Sequence, residues 1–252
     1  MAVAEAALDA LAPEAPEARS AWLTADLARD LLGCYGIEGP LGTVVQGARA
    51  AADAAERIGF PVVAKVADPD IVHKTDRGLV RVGLRRASDV RAAARQFADE
   101  VDDRSVAVLV QPQVEGGVEV ALGIVRDPGF GPLVMVAAGG VNTDVWNDRV
   151  FLVPPLSDGD ADRAIRSLRT WPLLAGFRGA DPVDVVALRD VLVRLARLAV
   201  DVPHVAEVDL NPVLVTREGV AVVDVKMRLQ AIDAEREPVL DPGIPRRLRE
   251  AR

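Results

Sequence analysis

The chain has 252 residues, half of them hydrophobic and 27% charged, with a formal net charge of −8 and a pI near 4.9. That length supports two lobes around one cleft, or one large α/β domain, and the acidity argues against the basic surface that holds nucleic-acid backbones. No stretch reaches the roughly 20 apolar residues of a membrane span, the start lacks the basic residues of a signal peptide, and the single Cys34 reads as a small buried side chain in a reducing compartment, so a cytoplasmic protein is expected.

Residues 1–20 are rich in Ala, Glu and Pro and read as an arm. Helical spacing predicts a helix from Trp22 to Leu32, ended by Gly33. A short strand over Gly42–Gln46 and a helix over Ala48–Ile58 follow, then an apolar strand, Pro61–Ala67, with Lys65 in its middle. Asp68–Gly78 has turn chemistry. Beyond it a strand (Leu79–Leu84), a helix (Asp89–Val101) and a strand (Val106–Gln111) are expected. Val118–Arg126 and Pro132–Ala137 read as an antiparallel pair, and Gly139-Gly140 opens a polar stretch to Val150. Helices fit Asp158–Leu168 and Val183–Ala199, and strands fit Val205–Val215 and Val220–Val225. The residues after Leu229 read as an exposed extension. Helices mixed with hairpins favour an α+β (mixed α/β) architecture over a doubly wound sheet.

The C-terminal hairpin carries the most chemistry. If Thr216–Gly219 is a four-residue loop, Val215 faces Val220, and the same register sets Asn211 against Asp224, Asp209 against Lys226 and Glu207 against Arg228, all on one face. Directly opposed Cβ atoms lie about 4.5 to 5.5 Å apart, which lets an amide oxygen and a carboxylate converge on one hard cation such as Mg²⁺. The competing reading is a hairpin with an ordinary charged outer face and two cross-strand salt bridges.

Lys65, among Val62, Val63, Ala64, Val66 and Ala67, is costly in a strand interior unless an anion meets it. A nucleotide phosphate would serve, and the loop after it supplies His73, Lys74, Thr75, Arg77 and Gly78 as a possible phosphate cover. Snorkelling or pairing with an aspartate is the alternative for Lys65, and a solvated loop is the alternative for Lys74 and Arg77. The neutral imidazole of His73 could carry a phosphoryl group near pH 7. His204 has no metal-binding partner at ligand spacing and reads as structural. The chain has no Walker A, Rossmann GxGxxG or GxSxG motif, so any phosphate site is built another way.

The ordered set LLGCYGIEGP, ERIGFPVVAKVADPDIVHKTDRGLV, VQPQVEGGVEVALGIVRDPGFGPLVMVAAGG, LLAGFRG, EVDLNPVLV and VVDVKMRL, from about Leu23 to Leu229, resembles the ATP-grasp domain of NDP-forming acyl-CoA synthetases, the β subunit of ADP-forming acetyl-CoA synthetase. The resemblance implies two α+β lobes gripping ATP or ADP, over residues 21–114 and 115–229, with 1–20 an arm and 230–252 an extension. It implies Lys65 on the phosphates, Lys74 and Gly78 in their cover, Asn211 and Asp224 on Mg²⁺, Gln111, Gln113 and Val114 against the base, Glu119 on the ribose and metal side, and His73 as phosphoryl carrier. A separate CoA-binding and ligase α subunit is the implied partner of an acid–CoA ligase. Three departures from the family pattern stand out: Gly78-Leu79 for a glycine pair, Ala137-Ala138 before Gly139-Gly140, and Asp144 for a glutamate. They motivate an alternative, a non-catalytic nucleotide-binding regulatory or assembly module.

Overall fold

The computed structural model describes residues 20–39, 41–68, 71, 74, 77–140 and 147–231. The arm expected over 1–20, the extension over 230–252, His73 and Asp144 therefore lie outside the described residues, apart from Ser20, Gln230 and Ala231.

Strand β1 (Ser20–Trp22) and helix α1 (Ala25–Gly33) come first, then β2 (Thr43–Gln46), α2 (Ala48–Ile58), β3 (Val62–Val66), β4 (Val80–Leu84), α3 (Ala87–Glu100) and β5 (Ala107–Pro112). The second half runs through β6 (Val118–Asp127), β7 (Gly131–Ala138), β8 (Arg149–Leu152), α4 (Asp158–Ser167), α5 (Trp171–Leu174), α6 (Val185–Asp201), β9 (Val205–Val215), β10 (Val220–Val222) and β11 (Lys226–Gln230).

Two antiparallel sheets organise these elements. The smaller is ordered β2-β5-β3-β4, and α2 and α3 cover one face of it. Alternation explains that side: Val62, Ala64 and Val66 of β3 and Val108 and Val110 of β5 point into a core with Ala51, Ala55, Val90 and Phe97. The larger sheet is ordered β1-β11-β9-β6-β7-β8, with β10 also on β9. One face packs on α4 and α6 through Val120, Leu122, Ile124, Val134, Val136, Val208, Leu210 and Met227. A capping box, Ser157 with Asp160, starts α4, and the Asp184 side chain caps α6.

The mixed α+β reading holds, with several corrections. Trp22 is in a strand, paired with Arg228, and the helix begins after Thr24, whose hydroxyl accepts from the Leu27 amide. The period-3.6 pattern runs about one turn beyond the helix because Leu23 faces the same core as Leu31 and Leu32. That core belongs to the larger sheet, so the segment expected to open the first lobe at residue 21 packs instead with the second. Cys34, expected to be buried, is exposed just after α1, on the side of the chain turned from that core. Strand β8 and the one-turn α5 lie in stretches with no clear period, and the expected strand over 220–225 is broken after Val222.

Candidate functional site

The uncovered faces of the two sheets supply the polar residues. In β3 and β5, Lys65 and Gln111 alternate with the core positions and point away from α2 and α3. Lys65 is only 8% exposed. Its ammonium forms an ion pair with the Asp224 carboxylate and donates to the Val223 carbonyl at 3.3 Å. Gln111 is 4% exposed; its Nε2 donates to the same carbonyl at 3.3 Å, and its Oε1 is buried without a partner among the described residues. A buried amide oxygen left unpaired is costly, so this atom is poised for a donor.

The hairpin keeps the expected register on either side of Asn211 and Asp224, which are not themselves a ladder pair. Val215 pairs with Val220, Asp209 with Lys226 and Glu207 with Arg228. Glu207, Asp209 and Asn211 are half-buried on one face of β9, while Val208 and Leu210 point into the core. Between Val222 and Lys226 the ladder opens. The Val223 amide still reaches the Pro212 carbonyl at 3.0 Å, while its own carbonyl turns to Lys65 and Gln111. The strand breaks there because the small sheet, rather than β9, takes that acceptor.

The glycine pair meets the same corner. The Gly140 amide donates to Asn211 Oδ1 at 3.3 Å, and the Gly139 amide donates to the Glu119 carbonyl at 3.0 Å. A Cβ on Gly139 would sit 2.5–2.6 Å from the Val120 backbone, and Gly140 has φ +79° with the Glu119 carboxylate lying over it. These two positions require glycine. Ala137 and Ala138 are buried strand residues with room for their methyl groups, and Leu79 fills the small-lobe core. Two of the three departures from the family pattern are therefore accommodated by packing; the third, Asp144, lies outside the described residues.

Lys74 borders the same cleft, and burial pushes its ammonium below the ordinary lysine range; Lys65 and Lys226 repel it further, while Asp224 opposes the shift. Burial likewise raises the Asp209 carboxyl, with Lys226 pulling it down and Asp224 and Glu207 pushing it up. Gly78 has φ +68°, its carbonyl accepts from Arg81 at 2.9 Å, and the Leu79 amide closes the loop on the Lys74 carbonyl at 2.8 Å. Gln113 binds the small lobe through its amide, to the Pro61 carbonyl at 3.1 Å, and through Oε1, from the Gly83 amide. Its side chain is thus already engaged. Val114 is exposed on the link from β5 to β6.

The structure therefore brings Lys65, Lys74, Asp224 and Gln111 together, with Asn211 and Glu119 at the adjoining corner, and sets Gln113 and Gly78 at its margins. A cleft of about 230 Å³ opens there, lined by Lys65, Lys74, Asp209, Asp224 and Lys226, with Trp22 at its end. An amide oxygen and a carboxylate suit a hard cation, which keeps its other positions for water and phosphate. Among the described residues no three His, Cys, Asp or Glu side chains converge, so the protein's share of such a shell would be open rather than closed. Sequence reasoning missed Asp148. Its buried carboxylate accepts from the Arg169 and Thr170 amides at 2.8 and 2.9 Å, and its carbonyl accepts from Ala138 at 2.9 Å, which fixes the strand end before the glycine pair. A lone aspartate in a polar run carries no signal for that role.

Two sheets facing one another across a lysine-bearing cleft coincide with a family match: residues 14–229 fit the model of the ATP-grasp domain. The chain belongs to the ATP-grasp family. This ATP-grasp chain is 40% identical over 205 residues to acetate–CoA ligase [ADP-forming] I of Archaeoglobus fulgidus, covering 79% of the chain and 30% of that longer protein. It is 34% identical over 209 residues to acetate–CoA ligase [ADP-forming] I subunit beta of Pyrococcus furiosus, covering 80% of the chain and 89% of that subunit. A solved structure of Ca. Korarchaeum cryptofilum acetyl-coenzyme A synthetase 1, in complex with coenzyme A and Mg-AMPPCP and with its phosphohistidine segment pointing towards the nucleotide binding site, matches with TM-score 0.74 and 38% identity over 88% of this ATP-grasp chain and 98% of that one. Among the described residues no helix is long and apolar enough to cross a membrane.

Proposed function

We propose that this chain is the ATP- or ADP-binding, Mg²⁺-dependent β subunit of an NDP-forming acid–CoA ligase, which moves a phosphoryl group between a phosphohistidine and ADP. The observation that carries the reading is the sunken Lys65, held between the Asp224 carboxylate and the Val223 carbonyl, on the hairpin whose other strand presents Asn211. A polyphosphate entering the cleft would take Lys65 from Asp224 and leave that carboxylate, with Asn211 Oδ1, to hold Mg²⁺. When bound, the cation neutralises phosphate charge and orients the terminal group.

This chain's residues do the rest by position and charge, as suits phosphoryl transfer. Lys65 and Lys74 neutralise phosphate oxygens, with Gly78 close by. Gln111 Oε1, which has no partner among the described residues, accepts from the exocyclic amine of adenine, because its Nε2 is already committed to Val223. Gln113 and Val114 offer main-chain groups to the base. Glu119, over Gly140, would meet the ribose or the side of the cleft where a cation is held. His73 carries or contacts the phosphoryl group.

A CoA-binding and ligase α subunit completes the reaction, in keeping with the β-subunit relatives, and carries most of the acyl pocket. Nucleotide and CoA are drawn from the cytoplasm, which is the compartment we assign. With that partner, acetyl-CoA, phosphate, ADP and Mg²⁺, a coupled assay should register ATP formation. Lys65→Ala or Asp224→Ala should abolish it; wild-type-like rates in both would rule the reading out.

A further inference from the structure

Lys226 has no role in the site as built so far. It is half-buried on β11, directly opposite Asp209, and lines the cleft with Lys65 and Lys74. The next rung of the same two strands forms a full ion pair: Arg228 donates twice to Glu207, at 3.1 and 3.2 Å, with its guanidinium 5.8 Å from the Trp22 ring centroid. The Lys226 rung does not. Lys226 makes no hydrogen bond and no ion pair within 4.0 Å to a described residue, although Asp209 faces it. A half-buried ammonium that acts on Asp209 only at longer range, without a hydrogen bond, can take an anion as well.

Register fixes where that anion would sit. The link from the small lobe enters β6, where Val118 pairs with Val215 and Glu119 with Leu214. Moving along β9 from that end, the face presents Asn211, then Asp209 opposite Lys226, then Glu207 opposite Arg228 near Trp22. Asp209 is two residues past Asn211, about 7 Å farther along the strand. A nucleotide with its base at the link and its phosphates at Lys65 and Asn211 therefore ends before Lys226. Whatever meets Lys226 lies beyond the terminal phosphate.

We infer that Lys226 forms an anion subsite next to the nucleotide's terminal phosphate, with Lys74 shared between the two, for a phosphoryl group on the acceptor side, either borne by a phosphorylated side chain or free as phosphate. The inference rests on the nucleotide-binding reading above. The subsite binds and orients; it forms no bond itself. Lys226 is a positioning residue for the incoming or departing phosphoryl group, and the Arg228–Glu207 pair with Trp22 forms the outer rim of the entrance.

The test loads the protein with Mg·ADP and titrates inorganic phosphate, read by calorimetry, in wild type, Lys226→Met, Lys226→Gln and Lys226→Arg. Wild type and Lys226→Arg should bind phosphate, and the two neutral variants should bind it at least roughly tenfold more weakly, the loss of one charge-assisted hydrogen bond. Mg·ADP affinity should stay within about threefold in all four. Equal phosphate binding in the neutral variants, no phosphate binding by wild type, or a matching loss of Mg·ADP affinity would each overturn the subsite. Failure of wild type to bind Mg·ADP at all would instead defeat the nucleotide reading. A phosphorylated partner subunit titrated in place of phosphate separates the two sources, since only a side-chain-borne group should then show the Lys226 dependence at lower concentration.

Discussion

Replacing Lys65 with methionine isolates the cation at the centre of the cleft. The substitution keeps an unbranched side chain beside Val63, Leu109 and Gln111, and removes the ion pair with Asp224 and one of two donors to the Val223 carbonyl. Breaking a fully buried pair on one side costs about 3–5 kcal/mol. The Asp224 side chain is 36% exposed and can rehydrate, and Gln111 still serves the carbonyl, so the loss falls to about 1–2 kcal/mol. For a chain of this size that is a drop of roughly 2–8 °C in Tm. The effect on ligand is larger. One charge-assisted hydrogen bond to phosphate is worth about 1.5–3 kcal/mol, so Mg·ADP affinity should fall by roughly tenfold to 150-fold. Calorimetric titration of folded Lys65→Met with Mg·ADP measures it. A Kd within threefold of wild type, in a protein with intact circular dichroism, would refute the assignment of Lys65 to the phosphates.

Asn211→Ala should raise the Mg²⁺ concentration needed for half-maximal ADP binding by about tenfold, the loss of one oxygen ligand, while metal-free nucleotide binding changes little; a titration of Mg²⁺ at fixed ADP reads this. Gly139→Ala drives a methyl group into the Val120 backbone and should cost about 1–3 kcal/mol, whereas Gly33→Ala, with no atom within 4 Å of the added carbon, should be neutral or mildly stabilising; thermal melts compare the two. Gln111→Leu should weaken ADP binding by roughly five- to tenfold and GDP binding much less, because the lost acceptor serves a donor that guanine does not offer there. Burial depresses Lys74, so between its folded pKa and the ordinary lysine range the unfolded chain holds more protons and stability rises with pH; the penalty is fully present below that window. An anion bound beside Lys74 raises its pKa, so nucleotide binding in alkaline buffer should take up protons, measurable by calorimetry in buffers of different ionisation enthalpy. Proton release would contradict that sign.

Much of the site was legible because two-residue alternation is rigid: once the loop at 216–219 set the hairpin, the facing of Asp209 with Lys226 and Glu207 with Arg228 followed from counting. The lone Lys65 in an apolar strand was legible as a desolvation cost. What escaped was long-range. The residues that turn Val223 away from β9 are Lys65 and Gln111, more than a hundred positions earlier, and no local pattern announces them. Strand β1 was hidden because its two-residue period is too short to compete with the helical spacing that follows, and its partner β11 lies at the other end of the chain. The anchoring of the glycine turn by Asp148 depends on the Arg169 and Thr170 amides, which only the folded chain brings near. Conversely, the alanines before the glycine pair are accommodated by packing, since within the run 137–140 it is Gly139 and Gly140 whose backbones approach other atoms too closely for a side chain.

The most direct measurement is a crystal structure of this chain with Mg·AMPPCP. The account expects one metal at about 2.0–2.1 Å from both Asn211 Oδ1 and an Asp224 carboxylate oxygen, with Lys65 moved from Asp224 onto a phosphate oxygen and Gln111 Oε1 accepting from the adenine amine. A nucleotide bound elsewhere, or one bound here with Lys65 still paired to Asp224 and the metal on other ligands, would contradict it.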